Sequence, residues 1–265
     1  MSKKVAIVTG GTSGIGRATA LALQERGYTV YELSRRAEGM PDIRHIVADI
    51  TKEETLQAAV EQVLAAEGRL DLVVNNAGFG ISGAIEFTDT QEAQRLFDTL
   101  FFGMVRMNRC VIPLMRQQGH GRIVNISSVA APVPIPFQAY YSAGKAAINA
   151  YTMALANELR PFGVTVCAVM PGDIKTGFTA ARHKIIDGDD IYQGRIGCSV
   201  QRMEHDEQTG MDPAKVGRYI AAVASREGNH HPLYATRIDY KFFVFLTKVL
   251  PARFLNWLIY QLYGK

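Results

Sequence analysis

The sequence predicts a single-domain α/β fold: a doubly wound parallel sheet with helices on both faces, strand order 3-2-1-4-5-6, and a seventh strand beyond. Three observations predict it. The strand-like runs are continuously apolar and β-branched instead of alternating, as strands buried on both faces are. They alternate with helical patterns through short connections. The first of them ends in a glycine-rich segment that opens a helix. Right-handed crossovers with one reversal after the third strand then give the order.

The first strand is expected at 5–8, stopped by Thr9-Gly10-Gly11. Residues 17–26 carry Ala18, Leu21, Ala22 and Leu23 among good helix formers, and Gly27 closes that helix. Strands follow at 28–33 and 43–48, then a helix over 53–67 with Leu56, Ala59, Val60, Val63 and Leu64 on one stripe. A fourth strand covers 70–74, one long helix 91–117, a fifth strand 122–126, a helix 142–160, and a sixth strand 164–170. Two stretches break the rhythm. Residues 177–210 are long, polar and poorly periodic, the pattern of a substrate loop or lid. Residues 240–265 are instead dense in Phe, Leu and Trp, so the domain proper is expected over 1–239.

Composition narrows the function. The net charge is only +4 over 265 residues and is evenly scattered, which gives no footprint for nucleic acid. Cys110, Cys167 and Cys198 are odd in number and far apart, so neither a disulfide framework nor a zinc cage is expected; a reducing, cytoplasmic setting is. The six histidines show no ligand spacing, the adjacent His230-His231 suiting a loop, and no metal is expected. The apolar run near the N-terminus is too short for a signal peptide, and no stretch has the length of a membrane span.

The chemistry gathers at one edge. Gly10, Thr12, Ser13, Gly14, Ile15 and Gly16 form a strand-to-helix loop, where glycines admit the tight turn and the helix start offers free N–H groups to a pyrophosphate. Asn75-Asn76-Ala77-Gly78 follows strand four, Ser127-Ser128 strand five, and Pro171-Gly172-Asp173-Ile174-Lys175-Thr176 strand six. Tyr141-Ser142-Ala143-Gly144-Lys145 opens the next helix. All of these fall at the carboxyl ends of the strands, where open α/β sheets bind ligands. Tyr141 and Lys145, four apart, share a helix face. A phenol titrates near ~10, and a neighbouring ammonium favours phenolate. Ser128 can stabilise a developing oxyanion. Tyr140 and Ser127 read as packing neighbours.

In these motifs the sequence resembles the short-chain dehydrogenase/reductase family, over about 4–176 by motif, with the Rossmann-like fold that family carries. The resemblance implies an NAD(P)-dependent oxidoreductase acting on CH–OH groups. It implies Tyr141 as acid/base, Ser128 holding the substrate oxygen, and Lys145 on the nicotinamide ribose lowering the tyrosine pKa. It further implies cofactor contacts from the glycine loop, Asn76, Ala77, Gly78, Pro171, Gly172, Ile174 and Thr176, with Asp49 and Ile50 resembling the adenine contact. The sequence departs from the family at one place: in Asp98-Thr99-Leu100-Phe101-Phe102-Gly103 the family's asparagine is Leu100. In the family that asparagine helps hold a water linking the lysine to a proton relay, and neither Asn75 nor Asn108 stands at its position.

At the end of strand two, Ser34 holds the place where an acid would bond the ribose hydroxyls, and Arg35 and Arg36 follow. Arginines pair with a 2′-phosphate, so NADP(H) is preferred over NAD(H), unless both are merely solvated surface charge. Substrate contacts are expected from Phe79, Ile135, Phe137 and Gln138. The leading reading is an NADP(H)-dependent oxidoreductase of a hydrophobic secondary alcohol or ketone, hydroxysteroid-like, acting as a homodimer or homotetramer. The alternative is a catalytically weakened nucleotide-binding regulator or scaffold, favoured by Leu100. Pro251 should split the 240–263 tail. That tail either packs on the body or a sister subunit, or makes peripheral membrane contact.

Overall fold

The computed structural model describes residues 3–226 and 231–265; His230 lies outside them. In chain order the first half runs β1 (Val5–Thr9), α1 (Gly14–Glu25), β2 (Thr29–Ser34), β3 (Arg44–Val47), α2 (Glu53–Glu67), β4 (Leu72–Asn75), β5 (Ile81–Ser82), α3 (Thr90–Phe97) and α4 (Gly103–Gln118). The second half runs β6 (Gly121–Ile126), α5 (Ala139–Leu159), β7 (Val164–Met170), α6 (Phe178–Ala181), β8 (His183–Lys184), α7 (Arg195–Gln208), α8 (Pro213–Ala224), β9 (Leu233–Ala235), α9 (Ile238–Val249) and α10 (Ala252–Tyr263).

Seven parallel strands form the sheet in the order β3-β2-β1-β4-β6-β7-β9, the expected order with β9 as the seventh strand. The short β5 and β8 pair separately beside it. Successive strand residues feed opposite faces. Ala6, Val8, Leu72, Val74, Cys167 and Val169 pack under α1 and α8, whereas Val5, Ile7, Val73, Ile123, Val164 and Val166 pack against α2, α4 and α5. Both faces being covered, the central strands are apolar except where a buried polar side chain is hydrogen-bonded, as Asn75 and Asn125 are. Each fully buried side chain such as Ile7, Leu72 or Ile123 contributes roughly 1.5–3 kcal/mol.

Three elements differ from expectation. The helix over 91–117 is two helices, joined by a π-helical turn at Asp98–Phe102 that centres on buried Leu100. The stretch 177–210 is not a structureless loop: α6, β8 and α7 occupy much of it, and α7 buries Ile196, Ser199, Val200 and Met203. Helix α8 was not foreseen, although Asp212 caps it by accepting from Ala214 N at 2.8 Å and Pro213 opens it. It lies so close to α1 that a Cβ on Gly217 would come within 2.4 Å of the Ala18 carbonyl carbon. Pro251 splits the tail as expected, in extended conformation between α9 and α10.

Candidate active site

The first loop is fixed from beneath by the motif after β4. Asn76 Nδ2 donates to the carbonyls of Thr9 (3.0 Å) and Gly10 (3.2 Å), while Thr9 Oγ1 accepts from the amides of Asn76 (3.0 Å) and Ala77 (3.1 Å). Gly10 sits at φ +66°, and a Cβ there would press on Ala77 Cα at 3.0 Å. Gly16 does not line the cleft. Its place is structural, since a Cβ would meet Gly10 O at 2.3 Å, and its absence lets α1 begin against the loop.

A cleft of about 1240 Å³ runs along this edge of the sheet. One end is lined by Gly10, Thr12, Ser13, Gly14, Ile15, Ser34, Arg35, Arg36, Asp49 and Ile50. Its middle is lined by Asn76, Ala77, Gly78, Pro171, Gly172, Ile174 and Thr176. Ser34 Oγ is buried there without a hydrogen-bond partner among the described residues, while Arg35 and Arg36 are exposed. Burial opposes ionisation of Asp49, but hydrogen bonds from Thr51 and the nearby charges of Arg35 and Lys52 outweigh it and hold the carboxyl below its ordinary value. Glu32, the acid two residues before Ser34, is fully buried and bonded to His45, outside the cleft.

Ser128, Tyr141 and Lys145 meet in the middle of the cleft wall. Ser128 acts on the Tyr141 phenol, lowering its pKa, and its Oγ accepts from Ala130 N at 3.1 Å. Lys145 Nζ lies 5.5 Å from the Tyr141 ring centre and donates to Ile126 O at 2.7 Å. Ser127 also lines the cleft, and its Oγ donates to Lys145 O at 3.0 Å.

The chain's own groups correct the expected pKa. Burial pushes the Tyr141 phenol up to about 12, against the lowering effect of Ser128. Burial also brings Lys145 down to about 7, so at neutral pH the ammonium is only partly present to favour a phenolate. The two shifts have one cause, a shared dry wall.

Leu100 is buried 2.4 Å from where a Gly78 Cβ would be, in a cluster with Ile81 and Leu96 and against Phe79, Tyr140 and Tyr141. Asn75 and Asn108 belong to a separate buried net, Asn75 Nδ2 donating to Asn108 Oδ1 (2.8 Å) and Asn125 Oδ1 (2.9 Å).

The other half of the cleft takes Phe79, Ile135 and Gln138 from the expected set, but not Phe137. At φ +60° Phe137 turns inward against Ile196, Val200 and Met203, with its ring 5.6 Å from that of Tyr192. Its apolar character serves packing. Residues not foreseen complete this half: Phe178, whose ring is 5.8 Å from Tyr141, together with Met203, Glu207 and Tyr263. Glu207 accepts from Thr179 Oγ1 at 2.6 Å and pairs with the buried Arg182. No spacing in the sequence couples these positions.

A family model described as short chain dehydrogenase matches residues 4–185. The chain belongs to the short-chain dehydrogenase family. It is thereby an oxidoreductase of CH–OH or carbonyl groups. It is 37% identical over 261 residues to the 3-ketodihydrosphingosine reductase of Bacteroides thetaiotaomicron, covering 97% of this chain and 94% of that one. Among solved structures, a short-chain dehydrogenase from Streptomyces avermitilis superposes with TM-score 0.82 at 34% identity, covering 92% of each chain. The 3-ketoacyl-(acyl-carrier-protein) reductase from Brucella melitensis, complexed with NADH, superposes with TM-score 0.74 at 27% identity over 88% of this chain and 96% of that one.

Proposed function

We propose that this short-chain dehydrogenase is an NADP(H)-dependent reductase of long-chain apolar ketones, running in reverse on the corresponding secondary alcohols. The observation that carries the chemistry is the Tyr141 phenol, sharing one cleft wall with Ser128 and backed by Lys145, between a polar and an apolar half of the cleft. The polar half fits a nicotinamide dinucleotide. Its glycine cradle leaves no room for side chains at Gly10 and Gly16, and Ser34 Oγ is a buried donor needing a partner where the adenosine ribose would lie. Arg35 and Arg36 beside it suit a 2′-phosphate, which is the ground for preferring NADP(H) over NAD(H).

Bound there, the nicotinamide supplies or takes up the hydride. Ser128 and Tyr141 hold the carbonyl oxygen, and Tyr141, protonated at neutral pH, gives that oxygen its proton. Lys145 would hold the nicotinamide ribose, and its buried ammonium is placed to return a proton toward Tyr141.

The substrate class follows from the apolar lining (Phe79, Ile135, Phe178, Met203) and from the relative that reduces 3-ketodihydrosphingosine, whose match spans nearly both whole chains. A homo-oligomer suits the exposed Phe102, Met153 and Phe162 on the α4–α5 side. The test follows NADPH absorbance with 3-ketodihydrosphingosine, a steroid ketone and a short ketone. Turnover of the long-chain amino ketone well above the other two is expected, and a preference for the short ketone would overturn the substrate reading.

One observation favours a second reading, a nucleotide-binding regulator with weakened catalysis: Leu100 puts an apolar group beside Tyr141 where a polar one would serve a water. Tight NADPH binding with no turnover across the panel would establish it.

A further inference from the structure

Helix α9 wears its apolar stripe on the outside. Ile238, Phe242, Phe245 and Val249 recur at helical spacing on one face and are 83%, 59%, 55% and 56% exposed, while no residue of the helix is buried. An ordinary surface helix turns such a stripe inward. Across the Pro251 break, α10 adds exposed Phe254 and Trp257, their rings stacked 5.8 Å apart. Isolated exposed apolar residues are normal, but a run of six on two adjoining helices is not.

The charges on the two helices and at their ends are predominantly basic. Arg237, Lys241, Lys248, Arg253 and Lys265 stand against the single acid Asp239, which is already bonded to Arg237. We propose that α9 and α10 form a docking face for an anionic lipid bilayer. The stripe and Trp257 enter the headgroup region, and the lysines reach back to lipid phosphates. Each helix has 12 residues, so both lie in the interface and neither crosses it. A second copy on the same face would set basic residues against basic residues, which disfavours self-association through it.

The tail is tied to the cleft at both ends. Tyr240 lies over Gly172, accepts from Asp173 N at 3.0 Å and donates to Asp173 Oδ2 at 3.1 Å. Tyr263 lines the cleft and donates to Asp206 Oδ2 at 3.0 Å, and Arg195 Nε donates to Gly264 O at 2.6 Å. Docking through α9 and α10 therefore brings residues bonded to the cleft wall close to the membrane surface. The proposal stands apart from the choice of substrate.

Trp257 is the chain's only tryptophan, so its fluorescence reports the event directly. The full chain is titrated with phosphatidylglycerol vesicles and with phosphatidylcholine vesicles, followed by Trp257 emission and by co-sedimentation. A blue shift and co-sedimentation with the anionic vesicles are expected. Phe242→Gln with Phe245→Gln, and separately Lys241→Glu with Lys248→Glu, should each weaken the partition coefficient by about tenfold or more. All four positions are exposed, and retained thermal melting shows the fold intact. No shift with phosphatidylglycerol, or equal shifts with both lipids, would overturn the proposal. So would a change of oligomeric state, by sedimentation velocity, in the Phe242/Phe245 variant, because that would make the face a subunit contact.

Discussion

The two halves of the cleft are built by different means. The half proposed for the cofactor is built on backbone: Gly10 and Gly14 sit at positive φ, Gly16 packs behind them against Gly10 O, and Asn76 and Thr9 hold the loop at Gly10. The substrate half is side chains brought from far apart in sequence, Phe79, Ile135, Phe178, Met203 and Tyr263. Backbone that must approach a ligand closely accepts almost no residue but glycine, so its place is written in the sequence. An apolar wall needs only bulk and hydrophobicity, which many residues supply. The comparison teaches that a site can be half legible, and that the legible half is the one shared by every substrate.

Tyr141 stands at the seam, and its loss should be the largest effect. Tyr141→Phe removes one oxygen and keeps the ring against Phe178, so turnover should fall by about 10²–10⁴ while the Kd for NADPH stays within about twofold. Comparable rates would remove Tyr141 as the acid/base. The pH dependence has a definite sign. With the phenol raised to about 12, the Tyr141 proton is present throughout neutral pH, but its resupply through Lys145, lowered to about 7, falls as pH rises, so reduction should decline through that range. Oxidation needs the phenolate and should climb as pH rises. A reduction rate that instead rises with pH would mean another group donates.

The sheet order was legible, and so was the gathering of Ser128, Tyr141 and Lys145 along one cleft, because each strand ends in a distinctive segment. What escaped had a physical reason in each case. Residues 177–210 read as polar because α7 buries only one narrow stripe and exposes the rest. Phe137 had the composition of a substrate contact, but its positive φ turns the ring into the body. Arg182 and Glu207, 25 residues apart, form a buried pair that no periodicity announces. Helix α8 carries a signal of its own, since Asp212-Pro213 is an N-terminal signature.

If the cofactor half is as specific as its arginines suggest, it can be broken without touching the other. Replacing Arg35 and Arg36 with Ser should raise the KM for NADPH by about 10–100-fold, the value of one or two charge-assisted hydrogen bonds, and leave the KM for NADH nearly unchanged. The kcat with saturating cofactor should hold, because neither residue is near Tyr141's end of the cleft. Equal changes for both cofactors would show the arginines to be solvated charge, and a parent enzyme preferring NADH would do the same.

The smallest effect is expected at Leu100, which belongs to neither half and touches both. Its side chain fills the space a Cβ on Gly78 would take and packs with Ile81 and Leu96 behind Tyr141. Asparagine is similar in size, so Leu100→Asn should leave the sheet and the cofactor Kd intact. It exchanges apolar contacts for an amide with no waiting protein partner, at a cost of about 1–3 kcal/mol, read as a lowered Tm. Against that, the amide can hold a water near Lys145, whose Nζ has Ile126 O as its acceptor. Proton return to Tyr141 should then quicken, and kcat should rise a few-fold if that step limits turnover. The measurement is kcat in light and heavy water for both proteins. A solvent isotope effect in the parent that shrinks in Leu100→Asn supports a slow relay. An unchanged kcat with an unchanged isotope effect would show that the proton reaches Tyr141 by a route that never needed a side chain at position 100, and the reading of a weakened enzyme would lose its one supporting residue.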